Sequence, residues 1–281
     1  MSTFGPPIVI DGPLPVAPLR SLLKVPGVVV STSDDRWMNG VALWGYPEDV
    51  PSTWDPCGTG TYEFKSDDSN IPTPDFGAFV VYQPVTCSAF SIASDPDGFA
   101  EKAEIALDAM QSFAIERALA QGVPAPGLNP FLADANVSLP AGAGAVSPIA
   151  ALAYLEEAIG ATGRMGMIHA TPGAASAWFS QYRDYRSEQE TPELLTSLGT
   201  PVAAGGGYAG ATPAGGAAPT AGQSWAYATG PVEVRLQREI TLTIKEVLDR
   251  SENLVTFRAE RYALVEWDTS LQAAVLVDWS P

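Results

Sequence analysis

The sequence predicts an α+β protein, and three observations predict it. One unbroken helical pattern of about 24 residues runs from Pro96 towards Gly122. Strand-like alternation fills the C-terminal part, from Trp225 to Ser280. The leading segment carries prolines too densely for a helix or a central strand.

Residues 1–56 hold Pro6, Pro7, Pro13, Pro15, Pro18, Pro26, Pro47, Pro51 and Pro56. Each removes a backbone donor and restricts the residue before it. Yet Trp37, Trp44, Tyr46 and Trp54 need burial. An extended arm lying on another surface, its own domain or a neighbouring subunit, meets both demands. Residues 57–92 read as a long hairpin and its flanks: strands at 59–66 (TGTYEFKS) and 77–87 (GAFVVYQPVTC) around the turn-rich DDSNIPTPDF. A lone two-stranded hairpin is marginal in water, so it needs a partner surface.

Residues 93–146 begin with the helix. Asp95 is an N-cap, Pro96 suits the first helical position, and Gly122 and Pro124 stop it. Phe99, Ala103, Ala106, Leu107, Met110, Ala114 and Leu119 share a stripe at helical spacing. At 1.5 Å per residue the rod is roughly 36 Å long. Residues 147–232 open with the same device twice. Ser147-Pro148 starts a helix ended by Gly160, and Thr171-Pro172 starts another, AASAWFSQY. RMGMIHA (Arg164–Ala170) between them is a short buried strand, and Leu198–Ala204 is a further one. Residues 205–224, rich in Gly and Ala, predict a flexible loop with no packed core. Residues 233–281 complete the alternating strands, with turns at Asn253 and at Asp268–Ser270.

Composition narrows the function. Hydrophobic residues make up 46%, which excludes a disordered chain, whereas charged residues are only 17%. A surface so poor in charge suits burial against copies of the same chain, and fits equally well an ordinary protein with a bias towards Ala, Gly and Pro. The net charge of −17 repels phosphate, so the chain does not bind nucleic acid through its bulk surface but remains compatible with enclosing it. The N-terminus lacks a basic region followed by an apolar stretch, and no apolar run is long enough for a membrane span. Cys57 and Cys87 carry no CxxC spacing, and two buried free thiols fit them better than one disulfide.

Catalytic constellations are lacking. There is no G-x-S-x-G elbow, H-E-x-x-H, Walker loop or metal-spaced Cys/His cluster, so neither a cofactor nor a metal is expected. The single histidine, His169, lies among apolar residues and reads as a core residue rather than a general base.

The order of parts resembles the Hong Kong 97-type fold of tailed-bacteriophage major capsid proteins, a fold shared with encapsulin shells. The hairpin 59–87 resembles that family's E-loop and the helix 96–121 its spine helix. Met165–Trp178 (MGMIHATPGAASAW) resembles the strand, proline and helix of the axial (A) domain. Leu195–Tyr208 (LTSLGTPVAAGGGY) resembles the family's Leu-x-Gly-x-Pro-Val pattern, and the chain's ending resembles its final strands. The chain departs from the family in lacking a long charged N-terminal scaffolding helix and in its Pro- and Trp-rich arm. The resemblance implies an arm at 1–56, an E-loop at 57–92, a peripheral (P) domain with the spine helix at 93–146, an A-domain at 147–232, and final strands at 233–281 returning to both. It implies no enzyme but a structural subunit, self-assembling into hexamers and pentamers of an icosahedral capsid around double-stranded DNA. Scaffold, portal and decoration proteins would be separate chains, and assembly would take place in the bacterial host's cytoplasm. An encapsulin-like compartment shell, or a minor virion protein of the same fold, is the alternative. Candidate inter-subunit contacts are Trp37, Trp44, Trp54, Tyr62, Phe64, Lys65, Phe76 and Phe79. Lys65 is similar in place to a lysine that cross-links in some relatives, but no partner for it is identifiable and a solubilising charge explains it far better.

Overall fold

A computed structural model describes residues 12–30, 35–44, 71, 73–88, 96–122, 129–134, 137–140, 142, 144–180, 194–249 and 254–280. The leading elements are short: β1 (Val29–Val30), β2 (Val41–Ala42) and β3 (Asp75–Phe76). The strand β4 (Phe79–Ser88) and the helix α1 (Pro96–Gln121) follow. Next come α2 (Pro148–Ala161), β5 (Met167–Ala170), α3 (Pro172–Ser180) and β6 (Val202–Ala204). The chain closes with β7 (Gln223–Thr229), β8 (Val232–Leu236), β9 (Thr241–Asp249), β10 (Leu254–Trp267) and β11 (Gln272–Asp278). The mixture is α+β, as predicted.

Two lobes share this chain. The first is a sheet centred on β10, with α1 packed across it. β10 pairs antiparallel with β4, from Leu254↔Ser88 to Ala263↔Phe79. Its other edge takes β9 and then β8. β1 adds a parallel edge to β8. The second lobe is a four-stranded sheet in the order β11-β7-β5-β6. Strand alternation gives that sheet two buried faces. Ile168, Ala170, Ala226, Ala228, Val275 and Val277 meet α2 and α3 in one core. Met167, Ala203, Trp225, Tyr227, Ala274 and Leu276 point the other way, into the core of the first lobe.

The helix starts obey their local chemistry. Ser147 Oγ accepts from Ala150 N at 3.5 Å and Pro148 fills the first turn. Gly160 does not stop α2, which runs on to Ala161. Gly163, with φ +66°, follows the helix end instead. Gly122 caps α1 at φ +69°, and a Cβ there would also meet the Phe131 ring at 2.9 Å.

The described parts of the arm, 12–30 and 35–44, lie on their own chain. Leu22, Val28 and Trp37 are buried in the first core, and Ala204 N donates to Arg20 O at 2.8 Å. Of the expected hairpin, 59–66 lies outside the described residues, as do Cys57 and the Asp95 cap. The expected return strand forms as β4, whose partner among the described residues is β10 rather than an adjacent hairpin arm. Cys87 is a buried free thiol on that strand.

The segment 205–224 departs from expectation. Tyr208 is 1% exposed and Ala211 3%, and Trp225 Nε1 donates to Ala217 O at 3.0 Å. The glycines serve close approach rather than freedom. A Cβ at Gly207 would strike the Phe113 carbonyl oxygen, so the 3-10 turn Gly206–Tyr208 nests directly on α1.

Candidate assembly surface

The helix α1 buries polar groups and exposes apolar ones. Its inner rows are Ala103, Leu107, Gln111, Ile115 and Leu119, with Ser112, Glu116 and Ala120 beside them. Met110 is 47% exposed and Phe113 53%. The stripe read from the sequence placed Met110 inside, and the structure corrects it. Gln111 turns inward because its amide is satisfied: Nε2 donates to Asp108 Oδ1 at 2.9 Å, and Oε1 accepts from Arg261 Nη1 at 3.0 Å. Glu116 turns inward because both its oxygens receive backbone N–H groups.

Beside those rings stands Tyr82 on β4, 59% exposed, with the Arg258 guanidinium 5.4 Å from its ring centroid. Tyr82, Met110 and Phe113 border a cleft of about 610 Å³ under the arm residues Pro15, Val16 and Pro18. Outward-facing aromatic and thioether side chains around such a cleft are the hallmark of a surface meant to be covered.

A second apolar site caps one end of the second lobe. β5 and β6 run parallel, and the segments before them bring Met165 and Leu198, 75% and 76% exposed, to the same end of the sheet. The turn carrying Leu198 is held firmly. Thr196 Oγ1 donates to Glu156 Oε1, Thr200 Oγ1 to Glu156 Oε2 at 2.8 Å, and Gly199 takes φ +88°.

The buried titratable groups serve structure. His169 is fully buried, with Nδ1 3.0 Å from the Tyr208 hydroxyl and Nε2 3.0 Å from Thr229 Oγ1. Thr229 Oγ1 donates to Gly230 O, so it accepts from His169 Nε2–H, and Nδ1 accepts from Tyr208. Burial lowers the imidazole pKa to about 3, and no substrate can reach it. Burial also raises the Glu116 pKa, against its two backbone hydrogen bonds, and the Glu266 pKa, against Arg235. Arg235 Nε donates to Glu266 Oε1 at 2.9 Å. Among the described residues no group of His, Cys, Asp and Glu is placed to hold a metal, and no helix is long and apolar enough to cross a membrane.

The candidates read from the sequence divide three ways. Trp44 stands 79% exposed. Trp37 and Phe76 fill the chain's own core, which removes them from the surface; Phe79 is half-buried against the same core. Trp54, Tyr62, Phe64 and Lys65 lie outside the described residues. Tyr82, Phe113, Met165 and Leu198 were missed. For Phe113 a signal existed: it falls off the apolar stripe of its own helix.

No family model and no curated protein sequence matches the chain. Solved structures do. A chain from Mycobacterium phage Ogopogo matches at 15% identity with a TM-score of 0.55, covering 99% of this chain and 96% of that one. A chain from Microbacterium phage Oxtober96 matches at 10% identity, TM-score 0.54, with the same coverage. The capsid of an empty gene transfer agent (GTA) particle, computed with C5 symmetry, matches at 13% identity, TM-score 0.57, again over 99% and 96%. End-to-end agreement at so low an identity is agreement of backbone path, and it meets the two-lobed sheet arrangement and the long α1 described above. The chain therefore has the Hong Kong 97-type fold of phage and gene-transfer-agent capsid proteins.

Proposed function

We propose that this chain is a shell subunit of a phage or gene-transfer-agent capsid, assembling through copies of itself around double-stranded DNA. The first lobe is the peripheral domain, α1 its spine helix, and the second lobe the axial domain. The supporting observation is the full-length likeness to capsid chains together with apolar side chains held outward at Tyr82, Met110 and Phe113 on one face and at Met165 and Leu198 on another. A monomer gains nothing from exposing them, whereas a sister subunit desolvates them at about 25 cal/mol per Å². The likeness to a gene-transfer-agent capsid computed with C5 symmetry supports a shell of many copies of the chain, which we propose to be built from pentamers and hexamers. The acidic composition keeps packed DNA from adhering to the wall.

Electron microscopy of the expressed chain, with and without phage scaffold and portal proteins, tests this. Closed icosahedral shells or isolated pentamers and hexamers are expected. A monodisperse monomer under every condition overturns it. Shells that carry an enzyme and no DNA in the native host identify an encapsulin-like compartment instead.

A further inference from the structure

We infer that Glu116 is the latch of a strap, a single carboxylate that holds the leading stretch of the arm, residues 12–22, and the Gly205–Tyr208 turn onto α1, so that the two come free together. The proposal concerns one copy of the chain and stands apart from the shell reading.

Glu116 is 1% exposed on the inner face of α1. Its Oε1 accepts from Leu22 N of the arm at 3.0 Å, and its Oε2 accepts from Gly207 N of the second lobe at 3.1 Å. One side chain thus satisfies backbone donors from two segments far apart in sequence. The surroundings are shaped to it. A Cβ at Gly205 would land on the carboxyl group itself, and one at Gly207 would meet Glu116 Cβ. A third contact closes the triangle, since Ala204 N donates to Arg20 O at 2.8 Å.

The arm has few other holds nearby. Pro15, Val16 and Pro18 roof the 610 Å³ cleft instead of filling it, and Leu19 and Arg20 face solvent. Ser21 and Leu22, 1% and 0% exposed, are the first buried side chains among the described arm residues. Residues 12–21 are tied to the second lobe by Ala204 N–Arg20 O, and the bond from Leu22 N to Glu116 follows directly, beside the buried Ser21. When the carboxylate leaves, Leu22 N and Gly207 N lose their shared acceptor in the same event, and a buried orphan donor is costly enough to drive both segments towards water. Lifting of the arm and loosening of the second lobe against α1 are coupled by construction.

The test uses the full chain with Glu116→Ala and, because that variant leaves a hole, Gly205→Ala as a second. Gly205 has φ −123°, which alanine adopts freely, so the added methyl acts only by displacing the carboxylate. Amide exchange at Leu22 and Gly207 is measured beside Ala259 and Ala274, and tryptic cleavage after Arg20 is timed. Both latch amides should exchange at least roughly tenfold faster, the change expected when a charge-assisted hydrogen bond is lost. Cleavage after Arg20 should accelerate with them while Ala259 and Ala274 hold their rates. Acceleration at only one of the two amides, unchanged cleavage, or equal acceleration everywhere in both variants overturns the coupling.

Discussion

The Tyr208 hydroxyl donates to His169 Nδ1 across 3.0 Å, and this bond pins the glycine-rich segment to the buried face of the second sheet. The imidazole must stay neutral to accept it. Burial lowers its pKa to about 3, whereas the unfolded chain titrates near 6.5. Between those values the unfolded state binds the extra proton, so stability falls as the pH drops below 6.5, by about 1.4 kcal/mol per unit. Glu116 works in the opposite direction. Its raised pKa makes its contribution greatest below the ordinary carboxylate range and lost as pH rises through the folded value. Urea unfolding of wild type and His169→Gln at pH 7 and pH 5 should show a flatter acid limb in the variant. Identical slopes would dismiss this role for the histidine.

Gly166 precedes β5 where a Cβ would stand 2.7 Å from Thr229 O and 2.8 Å from an Ile159 methylene. One neighbour is backbone and cannot yield. Gly166→Ala should cost about 1–3 kcal/mol, the range of overpacked cores. Gly163→Ala has open space around it and should cost only the left-handed backbone penalty, about 1–2 kcal/mol. Thermal unfolding of the pair, with equal m-values in denaturant, separates steric from conformational strain.

Phe113→Ser and Met110→Ser remove apolar rings and chains that the folded copy leaves in water. Stability of the single subunit should stay within about 0.5 kcal/mol. Particle yield by electron microscopy should drop sharply, because the loss falls on contact between copies. A large drop in subunit stability with normal particles would place these side chains in the chain's own core instead.

Leu198→Asp on its rigid turn should block closure of rings by the second lobe without unfolding it. Glu156→Ala should act differently. It frees the Thr196 and Thr200 hydroxyls, loosens the turn, and raises amide exchange at Thr196 and Gly199 while leaving Leu198 in place. Analytical ultracentrifugation distinguishes them: Leu198→Asp shifts the population to small species, and Glu156→Ala broadens it.

Much of the fold was legible because its signals are local. Pro96, Pro148 and Pro172 each open a helix where predicted, and RMGMIHA holds a fully buried strand, Met167–Ala170. The α1 stripe was misread because hydropathy ranks Met110 above Gln111, while burial here follows hydrogen-bond satisfaction by Arg261 and Asp108. The glycine-rich segment was misread because a missing side chain signals mobility in composition and close approach in space. Trp37 and Phe76 were candidate contacts because nothing local tells an aromatic that packs on its own core from one that packs on a neighbour. The candidate assembly face was hidden for a related reason: it is defined by what remains uncovered after long-range pairing.

That pairing also governs how the molecule is made. β4 finds its partner β10 only across the register Leu254↔Ser88 to Ala263↔Phe79, and β1 docks on β8. The first lobe cannot close until the chain has been made through β10, which ends at Trp267. Local helices form early, but loop-closure entropy delays the sheet, as in other topologies of high contact order. During synthesis β4 can pack on the helix α1 that follows it, while its hydrogen-bonding edge waits for β10.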